Sequence, residues 1–264
     1  PRFYKRELLG TDVEFFDLAT INILGTPDAS SVTTGYYVFR DFATNWTDAL
    51  ATGVTMTAGQ TAIGDTGGVG VAFVQELGGP MKQIAGYGGT SEIAAAFDRG
   101  EITGSSRGNY TSAPTLFPEW IEEQRIVPLF TWGADPADDP RFVEYVEQEL
   151  GATVPLHVYE ALEQAGITVT DGQKAVFNLT ETVNDKLSRT FVLPAGVPQD
   201  IVDAWVQGFA DTIGDPDFVA AANLLGRPVQ YGGPESIKAA LDLGREALVD
   251  PALAKLFADL AGAE

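Results

Sequence analysis

Two glycine-rich turns carry the residues of this sequence that are best suited to bind an anion. The first, at residues 64–68, follows a β-rich run at residues 54–58, and the second, at residues 88–91, follows a strand pattern at residues 83–87. A helical pattern follows each turn. The first N–H groups of a helix have no partner within the helix and lie at the positive end of its dipole. The sequence therefore predicts two helix N-termini able to bind a small anion.

The elements that must position these turns are two consecutive strand–turn–helix units. The first helix is predicted over residues 69–77 and the second over residues 92–99, where Gly100 takes the C′ position of an αL cap. If the two strands are parallel neighbours, both turns lie at the carboxyl edge of the sheet and face one crevice. The alternative is that the glycines only let each strand turn tightly into a helix.

Nucleotide-binding motifs do not explain the first turn. A Walker loop requires Lys and then Ser or Thr after its last glycine, whereas Gly70 is followed by Val71 and Ala72. The glycine spacing also differs from that of the dinucleotide fingerprint. The sequence therefore predicts no cofactor.

Composition limits the partners of this 264-residue chain. It has 37 acidic and 16 basic side chains, a net charge of −21 and no cysteine. The negative charge makes nucleic acid and an anionic membrane surface poor partners, so we expect no nucleic-acid partner. The absence of cysteine excludes disulfides and thiolate metal sites. No apolar run is long enough to span a bilayer, so direct membrane insertion is not expected.

Catalytic chemistry has little support in the sequence. The only histidine, His157, lies at a predicted helix start, so neither a Ser–His–Asp triad nor a histidine-rich zinc site can be assembled. Carboxylate pairs could act as in glycoside hydrolysis, but no pair stands out from the many acidic residues. We therefore predict no catalytic residue, no metal site and no enzyme, and a secreted carboxylate-dependent hydrolase is the minor alternative.

Strand and helix patterns alternate along the chain, which predicts an α/β fold with a largely parallel sheet. The predicted strands lie at residues 21–24, 33–39, 54–58, 83–87, 126–130, 190–193 and 227–231. The predicted helices lie at residues 1–9, 45–50, 69–77, 92–99, 117–124, 142–150, 156–165, 173–187, 201–213, 216–226 and 235–248, with a last one from residue 251.

Six segments resemble one protein family in their residues and in their order along the chain. They are FDLATINILGT, VTMTAGQTAIGDTGG, YGGTSEIAAAFDRGEITG, PEWIEEQRIVPLF, RTFVLPAGVPQDIVDAW and GDPDF. The sequence resembles the solute receptors of tripartite tricarboxylate transporters, the Bug-type or TctC-like extracytoplasmic binding proteins. The resemblance covers nearly the whole chain, and its most specific parts are PAGVP and the DPDF that follows it.

The resemblance implies a periplasmic-binding-protein-like (type II) fold, a two-lobed Venus flytrap. Residues 1–41 and 190–264 would form a discontinuous domain 1, and residues 42–189 would form domain 2. The family begins with a strand, a helix and a second strand that have no counterpart before Pro1, and their loops supply the domain 1 half of the ligand site. We therefore expect the numbered chain to lack that half of the site.

The function implied is capture of a small carboxylate between the lobes, for delivery to the membrane permease subunits of the transporter. The carboxylate could be a dicarboxylate, a tricarboxylate, an aromatic acid or an amino acid. The protein would then be exported, to the periplasm or the outer face of the cell membrane. The sequence does not separate this function from that of a sensor or surface protein that uses the same cleft without transport.

The resemblance also assigns ligand-binding residues, in three groups. They are Asp65, Thr66, Gly67 and Gly68 of the first turn, Gly88, Gly89, Thr90 and Ser91 of the second turn, and Ser106, Arg107 and Asn109 after the next strand.

The chemistry of these residues suggests how a carboxylate would bind. We expect its oxygens to accept hydrogen bonds from the N–H groups of residues 67–68 and 90–91 and from the hydroxyl groups of residues 90 and 91. Arg107 offers a fork of donors, but an arginine on a loop is also often a structural or solvated charge. Asp65 at a helix N-cap would repel an anion, which suggests a ligand that also carries an amine or hydroxyl group.

Overall fold

The computed structural model describes residues 4, 8–10, 20–27, 33–111, 113–187, 189–224 and 229–262. The chain divides into two compact units, unit 1 from Pro1–Ser31 with Gly172–Glu264, and unit 2 from Val32–Asp171. The domain boundaries predicted from the sequence lie near Asp41 and Arg189. The division of the structure comes earlier at both places.

The described residues form strands and helices in alternation, as an α/β fold requires. The strands are β1 (Asn22–Gly25), β2 (Thr33–Phe39), β3 (Met56–Gln60), β4 (Met81–Ala85), β5 (Gly104–Ser105), β6 (Ile126–Gly133), β7 (Leu156–His157) and β8 (Phe191–Leu193). The helices are α1 (Trp46–Ala51), α2 (Val69–Glu76), α3 (Thr90–Asp98), α4 (Ala113–Leu116), α5 (Pro118–Glu122), α6 (Pro140–Glu144), α7 (Val158–Gln164), α8 (Asp171–Glu181), α9 (Gln199–Gly214), α10 (Pro216–Leu224), α11 (Pro234–Ala247) and α12 (Pro251–Ala261). No helix in this described part is long and apolar enough to cross a membrane.

Unit 2 is built on a six-stranded sheet with the order β4-β3-β5-β2-β6-β7. β3 pairs in parallel with β4 and β5, and β6 pairs in parallel with β7. β2 lies in the middle and is antiparallel to both of its neighbours, β5 and β6. The sheet is therefore largely parallel in direction, as predicted, with one central strand reversed. β2 belongs to this sheet along its whole length, which explains why the unit boundary precedes it.

The core of unit 2 packs on both faces of this sheet. In β6 the residues from Ile126 to Trp132 are all buried, which is typical of a strand covered on both sides. Helix α1 is held by Trp46, whose indole Nε1 donates to the Ala161 carbonyl at 2.7 Å. Helix α2 passes so close to the Trp132 ring that a Cβ at Gly70 would overlap it.

Unit 1 combines a small sheet with helices. β1 and β8 pair antiparallel, with Asn22 opposite Leu193, and an isolated bridge joins Thr26 to Gly232. Gly25 has φ +137, and a Cβ there would lie 2.6 Å from the Tyr231 ring. Since residues with an L side chain rarely adopt this conformation, glycine is required where β1 passes Tyr231.

Several predicted elements differ in detail from the structure. The predicted helix 156–165 begins with the short strand β7, and only Val158–Gln164 is helical. The amphipathic segment 142–150 is α6 followed by a π-helical turn, Tyr145–Glu149. Of the predicted strand 227–231, residues 227 and 228 lie outside the described residues, and residues 229–232 form isolated bridges in place of a strand. The predicted N-terminal helix also lies largely outside them.

Candidate functional site

Three loops of unit 2 begin at one edge of its sheet. Gln60 pairs with Ala85 in the parallel ladder of β3 and β4, and Ala58 pairs with Gly104 in that of β3 and β5. Since parallel neighbours end at the same side, the three loops that follow these strands share that edge. With the bounds that the structure gives, the first turn now covers residues 61–68 and the second turn residues 86–91, and we call residues 106–109 the third turn.

The first turn is organised by the carboxylate of Asp65. Its Oδ1 accepts from the Gly67 N–H at 3.2 Å, and its Oδ2 accepts from the Thr61 hydroxyl at 2.6 Å. The Gly68 N–H donates to the Asp65 main-chain carbonyl at 2.9 Å. The N–H groups of Gly67 and Gly68, expected to bind a ligand, therefore already have acceptors within the turn.

The third turn joins the first through an ion pair. Arg107 Nη2 lies 3.4 Å from Asp65 Oδ2, and the two side chains are only 19% and 14% exposed. A Cβ at Gly67 would lie 2.9 Å from Ser106 Oγ and 3.1 Å from Arg107 Nη1, so glycine lets the two turns touch. Within the described residues, Arg107 Nε is buried without a hydrogen-bond acceptor. The guanidinium is therefore a structural partner of Asp65 that keeps one donor unused.

The protonation of Asp65 follows from these contacts. Burial raises the pKa of its carboxyl group, but the Thr61 hydroxyl, the Arg107 charge and the N–H groups of Gly67 and Thr61 outweigh burial. The net effect is a pKa below the usual value for aspartate, so the carboxylate is charged at neutral pH. This charge is compensated locally by Arg107.

The second turn contains a carboxylate of its own. The Gly88 N–H donates to Glu92 Oε2 at 2.6 Å, so the N–H group of Gly88, a predicted ligand-binding residue, already has an acceptor. Helix α3 has Gly89 as its N-cap and no side-chain cap. The N–H groups of Thr90 and Ser91 have no intrahelical acceptor because they lie in the first turn of the helix. Ser91 is exposed and Thr90 is half-buried.

The remaining predicted residues are placed less directly. Ser106 is buried beside the first turn. The side-chain oxygen of Asn109 accepts from the Thr111 hydroxyl at 2.8 Å, and its carbonyl accepts from the Ala113 N–H at 2.9 Å. Asn109 thus supports the loop that follows the third turn. For Thr66 the structure describes the backbone only, within the 3₁₀ turn Thr66–Gly68.

Two residues that contribute to this edge were missed from the sequence. Glu92 could have been found, because an acidic residue in the first turn of a helix commonly reaches back to its N-terminus. Gln60 could not have been found, because its contacts join two segments that become neighbours only in the sheet. Its main-chain oxygen accepts from the N–H groups of Gly86 at 3.2 Å and Tyr87 at 3.3 Å.

Other candidate chemistry is weaker. Among the described residues no group of three or more metal-ligating side chains could hold an ion. His157 is the N-cap of α7, where its Nδ1 accepts from the Tyr159 N–H at 3.4 Å. Burial lowers the pKa of this histidine against the opposing charges of Asp135 and Glu160. His157 therefore has a structural role.

A cavity of about 640 Å³ lies in unit 1, between β1, α9 and α11. Four of its charged lining residues form pairs, Lys238 with Glu235 at 3.3 Å and Arg245 with Asp242 at 2.8 Å, and Asp203 accepts from Gln199 Nε2 at 2.8 Å. It does not offer a set of donors comparable to the three turns. We therefore take the sheet edge of unit 2 as the candidate site.

Comparisons with known proteins address the fold. No protein-family model and no curated protein matches the chain. Among solved structures, R. palustris Rpa4515 with adipate aligns with a TM-score of 0.52 and 17% identity, over 92% of this chain and 70% of that chain. A TctC solute-binding protein from Polaromonas, without ligand, aligns with a TM-score of 0.55 and 13% identity, over 96% of this chain and 74% of that chain.

The chain therefore has the α/β fold of the TctC-type solute-binding proteins. This confirms the predicted fold class and, at the level of fold, the resemblance seen in the sequence. At these identities the likeness establishes the fold alone.

Proposed function

We propose that the protein is an extracytoplasmic solute-binding protein that captures a small carboxylate and delivers it to the permease of a tripartite tricarboxylate transporter. The observation that carries the proposal is the convergence of three turns at one sheet edge, where the N-terminus of α3 presents N–H groups without intrahelical acceptors. The fold shared with TctC-type proteins supports it. On this proposal the protein acts outside the cytoplasmic membrane and is not an enzyme.

The second turn supplies the main ligand donors in this proposal. The first turn uses its Gly67 and Gly68 N–H groups internally, whereas the N–H and hydroxyl groups of Thr90 and Ser91 lie at the open start of α3. The N–H groups of Thr90 and Ser91 would each donate to an oxygen of the carboxylate, as backbone N–H groups do to anions at helix N-termini.

The net charge of −21 does not prevent this binding. Screening confines repulsion between exposed charges to about 8 Å at physiological salt, so the local donors decide affinity at contact. Asp65 is engaged by Arg107, Thr61 and the first-turn backbone, which removes the reason to require an amine on the ligand. We therefore place plain dicarboxylates ahead of amino acids, in agreement with the adipate bound to the similar Rpa4515.

The test is calorimetry with adipate, other dicarboxylates, tricarboxylates, aromatic acids and amino acids. We expect Thr90→Ala and Ser91→Ala each to weaken binding by about three- to tenfold, since one hydrogen bond contributes about 0.5–1.5 kcal/mol. Thr212→Ala is the control, because the hydroxyl of this exposed threonine of α9 donates to the Gly208 carbonyl one turn earlier.

Two results would contradict the proposal. If no carboxylate binds, the function is wrong, and if both variants bind every ligand as tightly as the unchanged protein, the site is wrong. Mass spectrometry of the recovered ligand addresses the hydrolase alternative, because a transport receptor returns its ligand chemically unchanged.

A further inference from the structure

Gln60 contacts both of the turns that are proposed to surround the ligand. It is the last residue of β3 and is fully buried. Its main-chain oxygen accepts from the N–H groups of Gly86 and Tyr87, at 3.2 and 3.3 Å, and so holds the start of the second turn. This contact depends on the backbone of β3, whichever side chain residue 60 carries.

The side chain of Gln60 holds the first turn. Its Nε2 donates to the Gly67 carbonyl at 3.4 Å, and its amide group lies beside Gly68. A Cβ at Gly68 would lie 2.6 Å from the Gln60 Cδ, so glycine is needed for the amide to fit. The peptide between Gly67 and Gly68 is therefore fixed by the amide of Gln60.

This arrangement is costly for a purely structural residue. Within the described residues, Gln60 Oε1 is buried and has no donor, and a buried acceptor without a partner destabilises the folded state. An apolar side chain of similar size would avoid that loss. Stability alone therefore disfavours glutamine here, and the bond from Nε2 to the Gly67 carbonyl is what ties this residue to the first turn.

We infer that Gln60 is a positioning residue that sets the orientation of the first turn relative to the second, and thereby the affinity for the carboxylate. The affinity part of this inference rests on the proposed function, whereas the orientation of the turns does not. Gln60 acts through the two turns, since the donors to the ligand are those of the second turn.

The matched control is Gln83, a buried glutamine on the neighbouring strand β4. Its Oε1 is also buried without a donor, but no hydrogen bond of the described residues joins its side chain to either turn. A change at Gln83 therefore reproduces the loss of a buried amide without altering the turns. Both residues are replaced by Leu and by Glu in the 264-residue chain.

The first measurement needs no ligand. In ¹H–¹⁵N spectra, Gln60→Leu should shift the amide signals of Gly67 and Gly68 and speed their hydrogen exchange. Gln83→Leu should leave these signals unchanged. If Gln60→Leu leaves them unchanged too, Gln60 does not position the turns and the inference is overturned.

The second measurement is affinity for adipate between pH 5.5 and pH 8. Gln60→Leu should bind about five- to tenfold more weakly while its melting temperature stays equal or rises. Gln60→Glu should bind like the unchanged protein at pH 5.5, where a buried and protonated carboxyl group can still donate to the Gly67 carbonyl. It should bind about tenfold more weakly at pH 8, because the ionised group cannot donate and repels the anion.

The outcomes separate the inference from the proposed function. If the unchanged protein binds neither adipate nor the other carboxylates, the proposed function fails and the amide signals alone decide the role of Gln60. If adipate binds but the affinity ratio of Gln60→Glu to the unchanged protein is constant with pH, or Gln83→Glu shows the same dependence, positioning by Gln60 is refuted.

Discussion

Replacement of Asp65 by Asn is expected to destabilise unit 2 in a pH-dependent way. The asparagine Oδ1 can still accept from the Gly67 N–H, so the backbone cap of the first turn is retained. The second oxygen is lost, and with it the acceptor for the Thr61 hydroxyl at 2.6 Å and the ion pair with Arg107 at 3.4 Å. The variant therefore isolates the charge of Asp65 from its capping role.

The structure sets the size of the effect. A hydrogen bond to a charged group contributes about 1.5–3 kcal/mol, and an exposed ion pair adds about 0.2–1 kcal/mol. Here both side chains are mostly buried, so Arg107 also loses its compensating charge. We expect a loss of about 2–3 kcal/mol in the free energy of unfolding at pH 7.

The sign of the pH dependence follows from the lowered pKa of Asp65. A carboxyl group with a lower pKa in the folded state stabilises the protein fully above its unfolded pKa of about 3.9. That stabilisation is lost as the pH falls through the folded pKa. Since asparagine does not titrate, the difference between the two proteins should be constant from pH 8 to about pH 5 and shrink towards pH 3.

Urea unfolding followed by tryptophan fluorescence measures this difference. Trp46, Trp120 and Trp132 lie in unit 2 and Trp205 in unit 1, so the signal reports mainly on the unit that contains Asp65. Asp211→Asn, on the exposed face of α9, is the control and should change stability by less than about 0.5 kcal/mol. A difference below about 0.5 kcal/mol for Asp65→Asn at pH 7, or one that grows as the pH falls, would refute the reasoning.

Two further predictions concern the second turn and the packing behind the first. Glu92→Gln keeps an acceptor for the Gly88 N–H but removes the charge, so calorimetry should show about two- to fivefold tighter dicarboxylate binding at low salt. The exposed control Glu101→Gln should leave affinity unchanged, and weaker binding by Glu92→Gln would contradict the prediction. Gly70→Ala should lower the free energy of unfolding in urea by about 1–3 kcal/mol, because its Cβ would overlap the Trp132 ring. Gly208→Ala, whose Cβ would have nothing within 4 Å, should stabilise α9 by about 0.5–1 kcal/mol. Equal effects of the two changes would show that Gly70 is not tightly packed.

Local features of this protein could be predicted from the sequence because neighbouring residues encode them. Asn45 caps α1 and Asp250 caps α12 through side-chain oxygens that accept from backbone N–H groups two or three residues later. Gly64 and Gly100 have φ of +76 and +70, a conformation in which other residues are strained. The two strand–turn–helix units of the candidate site follow from such short-range patterns.

Burial could not be predicted as reliably. The spacing of Ile201, Trp205, Phe209 and Ile213 marks one face of α9 in the sequence. In the structure Ile201 is 46% and Trp205 is 57% exposed, and of these four only Ile213 is buried. Periodicity identifies an apolar face, but only the packing of other elements determines whether that face is covered.

The tertiary structure alone determined how the candidate site is assembled. Strand patterns give no direction, so the reversal of β2 between β5 and β6 depends on its pairing with residues far along the chain. The pairing of β3 with β4 and β5 places Gln60 between two turns and Arg107 beside Asp65, 42 residues apart. The sequence determined which segments can form turns and helix N-termini, because those properties depend on adjacent residues. Local acceptors also decide which donors stay open for a ligand, since Asp65 occupies the N–H groups of Gly67 and Gly68 and Glu92 occupies that of Gly88. Long-range pairing decides which turns share one edge of the sheet.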